Sequence, residues 1–253
     1  MKTVVYAFAV ALFLWSCGGM VSEDSAYEAN PPCEGFDLAN SDPAAIELAD
    51  SIMRAMGGRK NWDNTRFISW NFYGRRNLVW DKQDGRVRIE SMRDSTIYLV
   101  NINTGKGRVQ IKGQEITEPD SLQKLLTKAK SIWINDSYWL VMPYKLKDTG
   151  VTLKYLGEDT VSNERYNVLE LTFQEVGVTP QNKYRVMVSI KENLVKRWSY
   201  YENASQDSAN WSNPFDNYQK YGNILLSADR SDNKGPRGVR VDESLPDEVF
   251  TTF

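Results

Sequence analysis

The 253-residue chain contains no histidine. That absence excludes a histidine general base, a Ser-His-Asp or Cys-His nucleophile, and histidine-ligated zinc, iron or haem. Cysteine is scarce too: there are two, Cys17 and Cys33, with no CxxC pair, so neither a zinc site nor a disulfide framework is written into the chain. Charge of one sign is not in excess. Thirty-one Lys and Arg stand against 33 Asp and Glu, a net charge of −2, which argues against a nucleic-acid partner. Asp-rich calcium loops are absent, and Thr104-Gly105-Lys106-Gly107 lacks the spacing of a phosphate-binding loop. No catalytic residues, metal ligands or cofactor follow from the sequence. Glu115, Glu118, Glu164, Glu170 and Asp229 are acid–base candidates only as any carboxylate is, leaving a histidine-free hydrolase as the weakest alternative. What the chain does have is aromatic side chains, 12% of the total, including eight Trp and thirteen Tyr.

A long apolar run is also missing. The longest, Val4 to Trp15, has twelve residues. As a helix it would reach about 18 Å at ~1.5 Å per residue, short of the ~30 Å hydrocarbon core. Preceded by Lys2, it has the length of a secretory signal h-region. It ends in Leu14-Trp15-Ser16-Cys17-Gly18, which resembles a bacterial lipobox. That resemblance implies a lipoprotein signal peptide over 1–16, cleaved after Ser16, and an acylated Cys17 as a membrane anchor, with Gly18 pointing to the outer membrane. More than one chain on Cys17 would hold the protein without a spanning helix. The alternative is a plain signal peptide with Cys17 paired to Cys33. Residues 17–42, rich in Gly, Ser, Asn, Pro and acidic side chains, read as a flexible tether.

Residues 43–253 read as one domain. Asp42-Pro43 opens a helix whose apolar face carries Ile46, Ala49, Met53 and Met56, and Gly57-Gly58 stops it. From Thr65 the period changes to two, with strands to Phe72 and over Asn77–Trp80, Arg86–Met92, Thr96–Asn101 and Arg108–Ile111. A second helix begins near Thr117 with Asp120 three residues on, and Asn135-Asp136-Ser137 is expected to interrupt it. Strands return over Thr152–Leu156, Tyr166–Phe173, Tyr184–Ile190, Val195–Tyr201, Asn223–Ala228 and Val239–Val241. Short loops between consecutive strands require an antiparallel meander, and a sheet this long tends to curl. The expected fold is α+β: a strongly curved antiparallel sheet, a half-barrel of about 11 strands, with helices packed in its concave face.

That order, with Met53-Arg54-Ala55-Met56-Gly57-Gly58 and Trp62, the run Trp133-Ile134-Asn135-Asp136-Ser137-Tyr138-Trp139-Leu140, the strand Tyr166 to Phe173 and Leu194-Val195-Lys196-Arg197-Trp198, resembles the LolA/LolB/LppX group. The resemblance implies a hydrophobic cavity for a lipid or acyl chain. Ile68, Trp70, Phe72, Trp80, Trp133, Tyr138, Trp139, Val186, Val188, Trp198 and Tyr200 are the candidate walls, each with ordinary core packing as the alternative. Arg75, Arg76, Arg86 and Arg88 would meet lipid headgroups at a rim, or else pair with Asp81, Asp84 and Glu90. A second function class stays open: a non-catalytic surface lipoprotein contacting glycan or protein through exposed aromatics of the Trp211–Tyr218 loop. No protein partner is named by the sequence.

Overall fold

The computed structural model describes residues 29–174 and 177–253. The stretch read as a signal peptide, Cys17 and the part of the expected tether up to residue 28 lie outside the described residues. Of the stretch read as tether, the described part runs along the domain. The Cys33 N–H donates to Lys147 O, Asp37 N to Val151 O and Asp42 N to Leu153 O, and Phe36 is buried.

Helix α1 (Pro43–Ala55) starts where the Asp-Pro pair puts it, with Pro at N1. The Asp42 carboxylate does not cap it. It accepts from the Tyr155 N–H and pairs with Lys154, tying the helix start to strand β7 (Val151–Val161). Leu48, Ala49, Ile52 and Met53 form the buried face of α1. At Gly57, φ is +110° and an added Cβ would lie 2.4 Å from the Asn223 carbonyl oxygen, so this turn requires glycine. A short helix α2 (Arg59–Asn64) follows and buries Trp62, which stacks on Tyr144 at 4.3 Å.

The long helix α3 (Pro119–Val141) differs from expectation at both its start and its middle. Its cap is Glu118, not Thr117: the carboxylate accepts from the N–H groups of Asp120 and Ser121 at 3.0 and 2.7 Å. It also runs unbroken through Asn135-Asp136-Ser137. These residues find partners without leaving the helix, since Asp136 is paired with Arg76 and the Ser137 hydroxyl bonds back to Ile134 O.

Seven strands form one antiparallel sheet: β1 (Phe67–Phe72), β2 (Arg76–Asp81), β3 (Arg86–Ser91), β4 (Thr96–Asn101), β5 (Gly107–Ile111), β6 (Gln114–Glu115) and, beside β1, the last strand β14 (Arg237–Asp242). Five more form a second: β7, β8 (Glu164–Phe173), β9 (Lys183–Ser189), β10 (Val195–Tyr201) and β11 (Trp211–Pro214). A ribbon of β12 (Tyr218–Tyr221) and β13 (Ile224–Ser227) stands apart. The fold is α+β and antiparallel as expected, and all eleven expected strands are present. It is divided into sheets of seven, five and two strands, not one sheet of about eleven. The added strands are β6, β11 and β12. The first is two residues long, and the other two carry Ser, Asn, Pro, Gln and Lys, so neither shows apolar alternation.

Register decides which side chains face α3. Ile68 lies opposite Trp80, and Trp70 opposite Leu78, continuing through Ile89 and Tyr98 to Val109. These residues are all buried. On the same face Gly107 lets α3 come close, since a Cβ there would lie 2.1 Å from Leu99 O and 3.0 Å from the Leu126 side chain. The opposite face carries Phe67, covered by Phe250 of α4 (Glu248–Thr251) at 6.0 Å. Arginines hold this last segment in place. Arg86 pairs with Asp247, Arg88 donates to Val249 O and Thr252 O, and Arg108 donates to Thr251 O. The expected pairing of Arg86 with Asp81 and of Arg88 with Glu90 is present, whereas Arg76 turns inward to Asp136.

Asp81 is fully buried on that outer side. Burial alone would raise its carboxyl. The guanidinium groups of Arg66 and Arg86 and the Asp84 N–H outweigh that and leave it below its ordinary value. A depressed carboxyl stabilises the fold above its unfolded pKa of ~3.9, and that contribution disappears as pH falls through the folded value. The stability gap between the parent and Asp81→Asn is therefore expected to be largest near neutrality and to close on acidification. Denaturant titrations at several pH values would measure it, and a gap constant with pH would contradict the assignment.

Candidate functional site

The C-terminal half of α3 sets three aromatic side chains, Trp133, Tyr138 and Trp139, between the two large sheets. Trp133 meets Trp80 of the seven-stranded sheet edge-on at 5.2 Å. Trp139 meets Phe72 at 6.1 Å on one side and Trp198 of the five-stranded sheet at 4.7 Å on the other. Tyr138 leans on Tyr184 at 5.6 Å and Phe173 at 6.3 Å. Behind them Tyr184 stacks on Trp198 at 5.5 Å, and Trp211 stacks on Tyr200 at 5.2 Å. Such edge-to-face and offset contacts contribute beyond the area they bury.

Part of this belt lines a cavity of about 260 Å³. Its apolar lining comes from Trp133, Ile134, Tyr138 and Trp139 of α3, with Val151, Phe173 and Tyr184 from the five-stranded sheet and Val178 from the loop beyond β8. Asn135, Lys145, Asp148, Thr149 and Thr179 supply polar groups, and Lys145 is ion-paired with Asp148. An apolar wall with a few polar groups is the usual make-up of small-molecule pockets, and the volume here falls just below their usual ~300–1,000 Å³ range. Of the sequence candidates, Trp133, Tyr138 and Trp139 lie in this lining. Ile68, Trp70, Phe72, Trp80, Val186, Val188 and Trp198 are core side chains, at most 7% exposed, and lie outside it. Tyr200 is half-buried and also outside it, one ring behind Tyr184.

Among the lining residues that sequence reasoning missed are Phe173, Lys145, Asp148, Thr149, Val178 and Thr179. Phe173 had a signal, the alternation of its strand. The rest sit in a 3₁₀ turn and loops, where no periodicity marks orientation. The Trp211–Tyr218 segment is not an exposed aromatic patch. Phe215 is fully buried, and Trp211 is packed against Trp139 at 5.1 Å. β11 pairs with β10, so the segment caps the belt.

Two groups in the lining carry unusual electrostatics. Burial, with the nearby Tyr184 and Asp148, pushes the Tyr138 phenol well above its ordinary value, and its hydroxyl is sealed from solvent without a hydrogen-bond partner. The Trp133 indole N–H is likewise buried and unpartnered. Burial also raises Tyr184, to about 12, helped by Tyr200.

Trp139 is held by a buried cation. Residue 143 is Pro, so the Trp139 carbonyl has no N–H four residues on to bond. Arg230, 2% exposed, donates to it at 2.7 Å. The guanidinium lies 3.5 Å over the Phe215 ring and donates to the Ser227 hydroxyl, and burial brings it down to about 10. A cation at the carbonyl end of α3 is also the favourable sign for the helix dipole.

Among the described residues, no group of three or more Cys, Asp or Glu is placed to hold a metal ion, and no helix is long and apolar enough to cross a membrane.

No protein-family model matches the chain, and no curated protein matches it in sequence. Solved structures do. A DUF1329 family protein from Desulfovibrio piger is 16% identical, with 83% of this chain and 98% of that one covered and a TM-score of 0.44. An outer membrane lipoprotein-sorting protein domain from Vibrio parahaemolyticus is 10% identical over 82% and 96%, with a TM-score of 0.38. A LolA superfamily protein from Nitrosomonas europaea is 12% identical over 81% and 97%, with a TM-score of 0.35. These similarities are distant.

Proposed function

We propose that this protein is a cell-envelope lipoprotein, anchored through Cys17 at the outer membrane, that holds a lipid or other apolar ligand in the cavity beneath α3. The observation that carries the reading is the cavity itself. It is about 260 Å³, walled by aromatic side chains from a helix and a sheet and edged by a few polar groups. The twelve-residue apolar run and the Leu-Trp-Ser-Cys sequence support the anchor, with residues 1–16 removed and 43–253 as the working domain. A chain held at Cys17 acts where it is tethered, so the reading is of a local lipid handler or acceptor.

Native mass spectrometry of the full chain extracted from membranes tests it. The expected result is an acylated Cys17 at the mature N-terminus together with a co-purifying apolar molecule. Removing that molecule is expected to lower the unfolding free energy by about 3–4 kcal/mol, the linkage expected at 100–1,000 times the Kd. Protein that carries no such molecule and keeps its stability on extraction would rule out the ligand-holding role.

A further inference from the structure

Resting on that reading for the ligand and the anchor, we propose that residues 33–42 form a releasable strap: the docked strap and an apolar ligand in the cavity each hold the other in place, with Asp37 as the positioning residue. The strap touches the cavity's own lining. The Cys33 N–H donates to Lys147 O at 2.9 Å, and the Cys33 thiol to the Asp148 carboxylate at 3.6 Å. The Thr149 hydroxyl donates to Glu34 O and the Gly150 N–H to Gly35 O, both at 2.7 Å. The Asp37 N–H donates to Val151 O at 3.1 Å. Asp148, Thr149 and Val151 line the cavity together with the aromatic rings of α3. The Asp37 carboxylate accepts from the Thr152 hydroxyl at 2.8 Å and from the Gln174 side-chain amide. Gln174 follows the lining residue Phe173, so Asp37 ties together two lengths of chain that wall the cavity. Glycine at residue 35 permits the close approach: φ is +79°, and an added Cβ would lie 2.9 Å from the Thr149 methyl.

The strap is held lightly for a segment so placed. Phe36 is its only buried apolar side chain, while Glu34, Gly35, Leu38, Ala39 and Asn40 are exposed, Leu38 to 59%. Its attachment rests on hydrogen bonds, which water replaces at small net cost. Segments with few buried apolar contacts open locally, well below the global unfolding free energy. When the strap leaves, the chain from Lys145 to Val151 loses its outer support. A ligand held between that chain and α3 therefore binds more tightly with the strap docked, and by linkage it holds the strap down by the same factor. Release adds residues 33–42 to the connection with Cys17, at most about 35 Å at ~3.3–3.6 Å per residue. An empty domain accordingly ranges further from its anchor than a loaded one.

Cys33 reports the strap. With Cys17→Ser it is the one thiol of the chain, and it lies outside the cavity lining. The full chain carrying Cys17→Ser is alkylated with N-ethylmaleimide, alone and with methyl hexanoate, octanoate or decanoate as the probe. Ester binding is followed by tryptophan fluorescence, since Trp133 and Trp139 are in the wall. A saturating ester is expected to slow alkylation about tenfold, within the usual range of coupling between two sites. Gly35→Ala and Asp37→Ala unseat the strap without altering a lining side chain. Each is expected to speed alkylation and to weaken ester binding by up to the same factor, a reciprocity not expected of residues that merely add stability. Urea below the unfolding transition is expected to leave the parent rate nearly unchanged, as for a local opening. A steep rise with urea would mean that only global unfolding exposes the thiol, and would overturn the strap as a separate unit. Ester binding with an unchanged alkylation rate, or variants that release the strap yet bind the ester as the parent does, would overturn the coupling and leave the apolar-ligand reading standing. Failure of every ester to bind would overturn both.

Discussion

Replacing Asp136 with alanine is expected to lower the unfolding free energy by about 3–5 kcal/mol, the cost of breaking a buried ion pair from one side. Asp136 is fully buried inside α3 and receives two hydrogen bonds from the Arg76 guanidinium of β2, at 2.6 and 2.9 Å. Arg76 also lies over the Phe72 ring at 5.1 Å. Its side chain is 22% exposed, so some water reaches it, which places the expected loss toward the lower end of the range. Burial pushes the Asp136 carboxyl above its ordinary value, and the bonds from Arg76 and Asn135 offset this only in part. Desolvation thus outweighs attraction, and the pair is a registry device more than a source of stability. The sign follows from that. A carboxyl with a raised folded pKa carries a penalty that is present at neutral pH and relieved as pH falls through that value. Replacing both partners, Arg76→Met with Asp136→Leu, is therefore expected to restore most of the loss or to exceed the parent. Urea denaturation of the parent, Asp136→Ala and the double variant would measure this. A single variant within ~1 kcal/mol of the parent would mean that Arg76 finds another partner at no cost.

The same pair shows where sequence reading reaches and where it stops. Alternation fixed the faces of the strands: Ile68, Trp70 and Phe72 on β1 and Val186 and Val188 on β9 all point inward. It gave no means of dividing inward residues into core and cavity wall, because both environments select the same apolar side chains. That division depends on how far α3 stands from each sheet. Contacts such as Trp133 on Trp80 set that distance, as does the missing Cβ at Gly107, and both are long-range. Polar residues were misread for a related reason. Asn135-Asp136-Ser137 has the local chemistry of a helix break, and an arginine sixty residues away overrides it. The Lys145–Thr149 rim sits in a turn with no period at all, so its place at the cavity was invisible before the fold was known.

Trp198→Ala is expected to cost about 3–5 kcal/mol, the usual loss for truncating a fully buried Trp, with a void left behind. Trp198 is the hub of the aromatic belt. Its ring lies within 6.3 Å, centroid to centroid, of Tyr138, Trp139, Tyr184, Trp211 and Phe215. Three of those five also line the cavity. The void therefore opens directly behind the ligand wall, among aromatic rings that cannot all move in to fill it. Large apolar voids of this kind stay dry and take up apolar molecules. The variant is thus expected to accept a longer acyl chain than the parent and to recover part of its lost stability when that chain is bound. Trp198→Phe separates packing from polarity. It keeps a ring in place and deletes an indole N–H that is buried without a partner, so its cost should be well below that of alanine. Thermal unfolding of parent, Trp198→Phe and Trp198→Ala, each with and without esters of increasing chain length, would read both effects. If the alanine variant is destabilised but gains nothing from longer chains, the belt is core alone and the cavity ends at Tyr138 and Tyr184. If longer chains restore it, the aromatic belt sets the depth of the site.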